Sequence, residues 1–114
     1  MRVLVCGGRD YTDRDLVYAE LDVLHAEYVF ETVIAGGAGG ADTLAIEWAQ
    51  ARGLATQVFA AEWGVLGRRG SALRNARILT ESRPNIVVAF PGGRETANMV
   101  RQAKAAGIWV LTLD

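Results

Sequence analysis

The sequence predicts a Rossmann-like α/β fold, a three-layer α/β/α sandwich around a five-stranded parallel sheet. Three observations carry that expectation. Short runs rich in β-branched residues alternate with longer helical patterns. The most apolar run, Ile86-Val87-Val88-Ala89-Phe90, is continuous rather than alternating, as a strand covered on both faces requires. Glycines cluster directly after three of the strands. Residues 1–114 are expected to form one domain of this kind.

The strands are expected at Arg2–Cys6, Thr32–Ala35, Thr56–Phe59, Asn85–Phe90 and Ile108–Leu113. The first intervening helix is expected to start at Thr12, which makes a capping box with Asp15, and to bury Leu16, Val17, Leu21, Leu24 and Tyr28. His25 sits beside that stripe and reads as surface. The second helix carries Leu44, Ala45, Trp48, Ala49 and Ala51 and stops at Gly53, suited to the left-handed position after a helix. The third carries Leu73, Ala76 and Leu79 and ends before Pro84; the fourth carries Thr96, Met99, Val100 and Ala103 and ends at Gly107. Trp48 and Trp109 read as core or subunit contacts.

Composition narrows the function. Hydrophobic residues make up 51% of the chain and charged residues 22%, which suits a packed globule. A formal charge of −1 lacks the basic excess that phosphate-backbone contacts require, so nucleic acid is not the expected partner. Cys6 is the only cysteine, so no intrachain disulfide can form and a reducing, cytoplasmic setting is expected. One thiol and one histidine cannot supply an ordinary structural zinc site, and neither a metal nor a cofactor is expected. The opening apolar run is too short for a signal peptide, and no segment is long enough to span a membrane.

Eight of the thirteen glycines fall in three turns: Gly7 and Gly8; Gly36, Gly37, Gly39 and Gly40; Gly92 and Gly93. In a parallel sheet with right-handed crossovers these turns lie along one carboxyl edge, where open α/β sheets bind ligands. Glycine lets a ligand approach the backbone, and each following helix offers unpaired N–H groups and a positive dipole end. The expected guest is an anion of phosphate type.

Common phosphate motifs fail letter by letter. No Gly-Lys pair exists for a Walker A loop, and Gly37-Ala38-Gly39-Gly40-Ala41-Asp42 has Asp42 where a dinucleotide fingerprint needs its third glycine. A serine nucleophile elbow is also missing, and a single histidine leaves no triad. The letters instead resemble a family through Cys6-Gly7-Gly8-Arg9-Asp10-Tyr11, Gly36-Gly37-Ala38-Gly39-Gly40-Ala41-Asp42-Thr43, Ala61-Glu62-Trp63, Leu73-Arg74-Asn75 and the stretch Phe90-Pro91-Gly92-Gly93-Arg94-Glu95-Thr96-Ala97-Asn98-Met99. Together these look like the YspA-related branch of the SLOG superfamily, which joins Smf/DprA proteins to the LOG phosphoribohydrolases.

The resemblance implies a Rossmann-like fold that binds nucleotides or nucleotide-derived ligands. LOG enzymes carry PGGxGTxxE, whose last glutamate is catalytic; this chain has Glu95 for the third glycine and Met99 for the glutamate. Methionine can serve as neither acid nor base, which weakens the enzyme reading, although Glu62 or Glu95 can supply a carboxylate from another turn. Gly70-Ser71-Ala72 also stands where relatives tend to have Gly-Pro. Three functions follow as expectations: nucleotide binding or sensing, LOG-like cleavage of a nucleoside monophosphate, and a DNA-processing or protein-interaction module.

Each candidate side chain has two readings. Arg9 can pair with a phosphate while Asp10 accepts from a ribose hydroxyl, or the two pair with each other at the surface. Asp42, beside Thr43, can order the anion loop or bind sugar, or merely cap the second helix. Trp63 can stack on a base or plug a gap beneath its loop. Arg74 and Asn75 can hold phosphate or ribose, or belong to a solvated helix face. Pro91, Gly92, Gly93 and Thr96 form the expected phosphate seat, with a preset φ, unhindered amides and a hydroxyl. Cys6 reads as a small buried hydrophobe. A shallow cleft in so small a domain suggests a homo-oligomer, a dimer or larger.

Overall fold

The computed structural model describes residues 1–37, 39–59 and 68–113, the side chains of residues 68–71 excepted. Strands β1 (Arg2–Cys6), β2 (Thr32–Gly36), β3 (Ala55–Phe59), β4 (Ile86–Ala89) and β5 (Trp109–Thr112) alternate with helices α1 (Arg14–Tyr28), α2 (Ala41–Ala51), α3 (Arg68–Ser82) and α4 (Arg94–Ala105). All strand pairs are parallel and the order is β3-β2-β1-β4-β5. The fold is the expected Rossmann-like sandwich. After β3 the chain returns to lie beside β1, so strand order reverses between β1 and β4, and a crevice opens there at the carboxyl edge.

Alternation along the strands sorts the core into two layers. Val3, Val5, Val33, Ile86 and Val88 pack against Val17, Leu21, Ala45 and Trp48 of α1 and α2. Leu4, Ile34 and Val87 pack against Ile78, Leu79, Met99 and Ala103 of α3 and α4. A continuous apolar strand is what two such layers demand. Helices α2 and α4 end alike. Gly53 (φ 70°) and Gly107 (φ 75°) turn left-handed, and the next amides, Leu54 and Ile108, donate back to Ala49 and Ala103 at 2.9 and 3.0 Å.

Helix α1 differs from expectation at both ends. Asp13 rather than Thr12 is its cap, its carboxylate accepting from the Leu16 amide at 3.1 Å. At the other end Val29 adopts φ 52°, an uncommon state for a β-branched residue. His25 helps to hold it. Its Nδ1 accepts from the Phe30 amide at 2.9 Å while its ring stacks on Phe30 and meets Trp48 edge-on. His25 is therefore a half-buried piece of the turn into β2 and not a surface residue.

One further reading changes. Leu73 is 55% exposed, because α3 turns Asn75, Ile78, Leu79 and Ser82 inward. Trp48 is core, whereas Trp109 keeps 41% exposure against the edge of the Tyr28 ring. No helix among the described residues is long and apolar enough to cross a membrane.

Candidate functional site

The first and third glycine turns touch. The Gly8 amide donates to the Pro91 carbonyl at 2.8 Å, and a Cβ on Gly92 would stand 2.7 Å from the Gly8 nitrogen and collide with Thr96 Oγ1. Close approach of two backbones is thus one reason for these glycines. The turns frame a cleft of about 720 Å³ lined by Gly7, Gly8, Arg9, Asp10, Tyr11 and Pro91, and then by Gly92, Gly93, Arg94, Glu95 and Thr96. It sits at the strand-order reversal between β1 and β4.

Helix α4 opens onto this cleft. Gly93 is its N-cap and supplies no side-chain hydrogen bond; Ala97 is the first residue whose amide turns back, to the Gly93 carbonyl at 3.0 Å. The preceding amides have no acceptor within the helix, and the dipole adds a partial positive charge at the same place. Arg9 and Arg94 bring full charges to the rim, and Arg9 lies 3.6 Å from Glu95. Arg9 therefore pairs with Glu95, not with Asp10 as the surface alternative had it. Burial first, and the Asp13 charge second, hold the Tyr11 hydroxyl above its usual pKa, so at neutral pH it is a donor. The arrangement can hold an anion by backbone amides with cations at its edge.

Part of the second glycine turn opens elsewhere. Gly36, Gly37, Asp42 and Thr43 line a separate hollow of about 280 Å³. Gly40 turns through φ 56° so that α2 can abut the first turn: a Cβ there would strike the Gly8 carbonyl, which accepts from the Ala41 amide at 3.2 Å. Part of the amino end of α2 is thereby used inside the protein. Its cap is Gly40, so Asp42, 6% exposed, lies in the first turn and is not the cap.

Arg74 and Asp42 approach each other over Gly36, where a Cβ would lie 3.3 Å from Arg74 Nη2 and 3.2 Å from Asp42 Oδ2. The Arg74 Nε is buried and has no acceptor among the described residues. Asn75, 3% exposed, is in the seam between α3 and α4, where its amide donates to the Glu95 carbonyl at 3.1 Å and to Asn98 Oδ1 at 3.0 Å. It anchors the helix end that faces the cleft. Glu62 and Trp63 lie outside the described residues.

The sequence reading did not select Tyr11, Arg94 or Glu95 as ligand contacts, although all three line the cleft. Their signal was position alone: Tyr11 ends the loop begun by Gly7-Gly8, and Arg94 and Glu95 open the helix after Gly92-Gly93. Cys6 points elsewhere; burial, with the Asp42 charge second, pushes its thiol up to about 12. Among the described residues no group of three or more His, Cys, Asp or Glu is placed to hold a metal ion.

The family described as YspA, cpYpsA-related SLOG matches residues 1–64, more than half of the chain. The chain belongs to this family. It is also 34% identical over 118 aligned residues to the Gene 61 protein of Mycobacterium phage D29, an alignment covering 96% of this chain and 94% of that protein. No solved structure matches. Membership in the YspA-related SLOG family is consistent with nucleotide-related binding, and the cleft has the chemistry for a phosphate.

Proposed function

We propose that this SLOG protein binds, and by binding senses, a nucleotide or nucleotide-derived phosphate ligand, its phosphate seated on the amino end of α4. The observation that carries this reading is the cleft of about 720 Å³ onto which an uncapped helix start, two mutually packed glycine turns and two arginines open together. Ligand pockets typically measure about 300–1,000 Å³. Asp10 and Tyr11 would then meet a sugar and Gly93 would lie against the phosphate. Self-association belongs to the same reading, since a second copy could close the open mouth of the cleft, and sedimentation reports it.

Cleavage is supported less well than binding. Met99, which takes the place of the LOG glutamate, is 3% exposed and packs with Leu4, Ile34 and Val87 on the underside of α4. It offers the cleft no carboxylate.

The test is a melting-temperature screen against mono-, di- and cyclic nucleotides and ADP-ribose. A ligand at 100 times its Kd stabilises by about 2.7 kcal/mol, a clear rise in Tm. A flat response across the panel overturns the reading.

A further inference from the structure

The cleft does not end at Pro91 and Gly92. On their far side, between the ends of β4 and β5 and the outward flank of α4, a second hollow of about 520 Å³ opens, and Pro91, Gly92 and Thr96 line both hollows. The two are chemically unlike. The first is framed by backbone amides and glycine; the second has Phe90, Ala97, Val100 and Leu113 for apolar walls, with Arg101 and Lys104 among its lining. Those two cations project from successive turns of one helix, and among the described residues neither forms an ion pair. No carboxylate of a described residue lines the hollow.

Resting on the nucleotide-binding reading above, we propose that this second hollow is a subsite for a second ring-bearing, anionic arm of the same ligand. The site therefore takes a dinucleoside phosphate in preference to a mononucleotide. Three features carry the inference. A hollow of several hundred cubic ångströms already suffices for one nucleotide-sized group, and here a second, comparable one adjoins it. Apolar walls suit the face of a ring, and a lysine and an arginine beside them suit phosphate oxygens. Finally, the first hollow stands at the strand-order reversal and the second adjoins it on the β4–β5 side. In doubly wound sheets a ligand with two halves extends from that point to either side, so the second hollow lies where one of its halves would run.

The phosphate bridge of such a ligand would pass over Gly92 beside Thr96. Both residues face both hollows. Arg101 and Lys104 would meet the outer phosphate, while Val100 and Leu113 would take the second base.

Titration calorimetry on the full chain decides it, with AMP and diadenosine triphosphate as the probes. The unchanged protein should bind diadenosine triphosphate at least about tenfold more tightly than AMP. A doubly substituted chain, Arg101→Ala with Lys104→Ala, alters only exposed side chains. It should lose that preference while keeping its AMP affinity within about twofold. Equal affinity for the two probes in the unchanged chain overturns the proposal and leaves the nucleotide-binding reading standing. So does a preference that survives both substitutions. Binding of neither probe also overturns the proposal, and the nucleotide panel above then decides the nucleotide-binding reading.

Discussion

Arg9 and Glu95 meet across the mouth of the cleft, the Arg9 Nη2 lying 3.6 Å from Glu95 Oε1, with both side chains partly exposed. The pair joins the first glycine turn to the first turn of α4. At that exposure it contributes well under about 1 kcal/mol, so it is weak enough for a ligand to displace. Glu95 places an anion where a phosphate would sit, and the helix dipole stabilises either one. Glu95→Gln should therefore lower stability slightly, by about 0.3–1 kcal/mol, yet tighten phosphate-ligand binding several-fold. Paired urea melts and titrations check it; a loss of both stability and affinity would sink the idea.

The glycines separate packing from binding. A Cβ at Gly92 would collide with Thr96, and at Gly40 with the Gly8 carbonyl, whereas at Gly93 nothing lies within 4 Å. Gly93 has φ −94°, outside the left-handed region. Gly93→Ala should thus cost less stability than Gly92→Ala and still cost affinity by more than about tenfold, because its methyl would stand in the cleft. Gly92→Ala should lower Tm. An unchanged affinity in Gly93→Ala would show that the phosphate sits elsewhere.

The fold was legible because apolar strand runs and helix stop signals are local: Gly53 and Gly107 end their helices as their letters suggest. The partition of the carboxyl edge was not. Three glycine turns look alike in sequence, but β1 and β4 are neighbours at the reversal while β2 lies beyond β1, so strand order decides which turns share a cleft. His25 and Asn75 were obscure for a related reason. Each satisfies a partner brought in by the fold, the Phe30 amide in one case and the start of α4 in the other.

Cys6 should behave as an inert thiol. Burial and the Asp42 charge raise its pKa from an ordinary 9.0 to about 12, so at pH 8 almost no thiolate exists in the folded chain. Alkylation by iodoacetamide should be slow in the native protein and fast in urea. The sign of the linkage follows: stability is lost as pH rises above 9.0, where the unfolded thiol ionises and the native one does not. Rapid native labelling at pH 8 would contradict the raised pKa.

Asp22 ties the outer surface to the core. Its Oδ1 accepts from the indole Nε1 of Trp48 at 2.9 Å and from Arg52 Nε at 2.8 Å, and its Oδ2 accepts from Arg52 Nη2 at 2.8 Å. The Arg52 hydrogen bonds first, and the Trp48 bond second, hold the carboxyl below its ordinary 3.8. Trp48 is fully buried, so removing the carboxylate strands an indole N–H. Asp22→Ala should cost about 1–3 kcal/mol by urea melts, and Asp22→Asn, which keeps an acceptor, less. A depressed native pKa means that the contribution is present above 3.8 and is lost as pH falls through the lower native value. In acid, then, the gap between the unchanged chain and Asp22→Asn should narrow; a gap independent of pH would show that the Asp22 charge adds nothing to its bonds with Arg52 and Trp48.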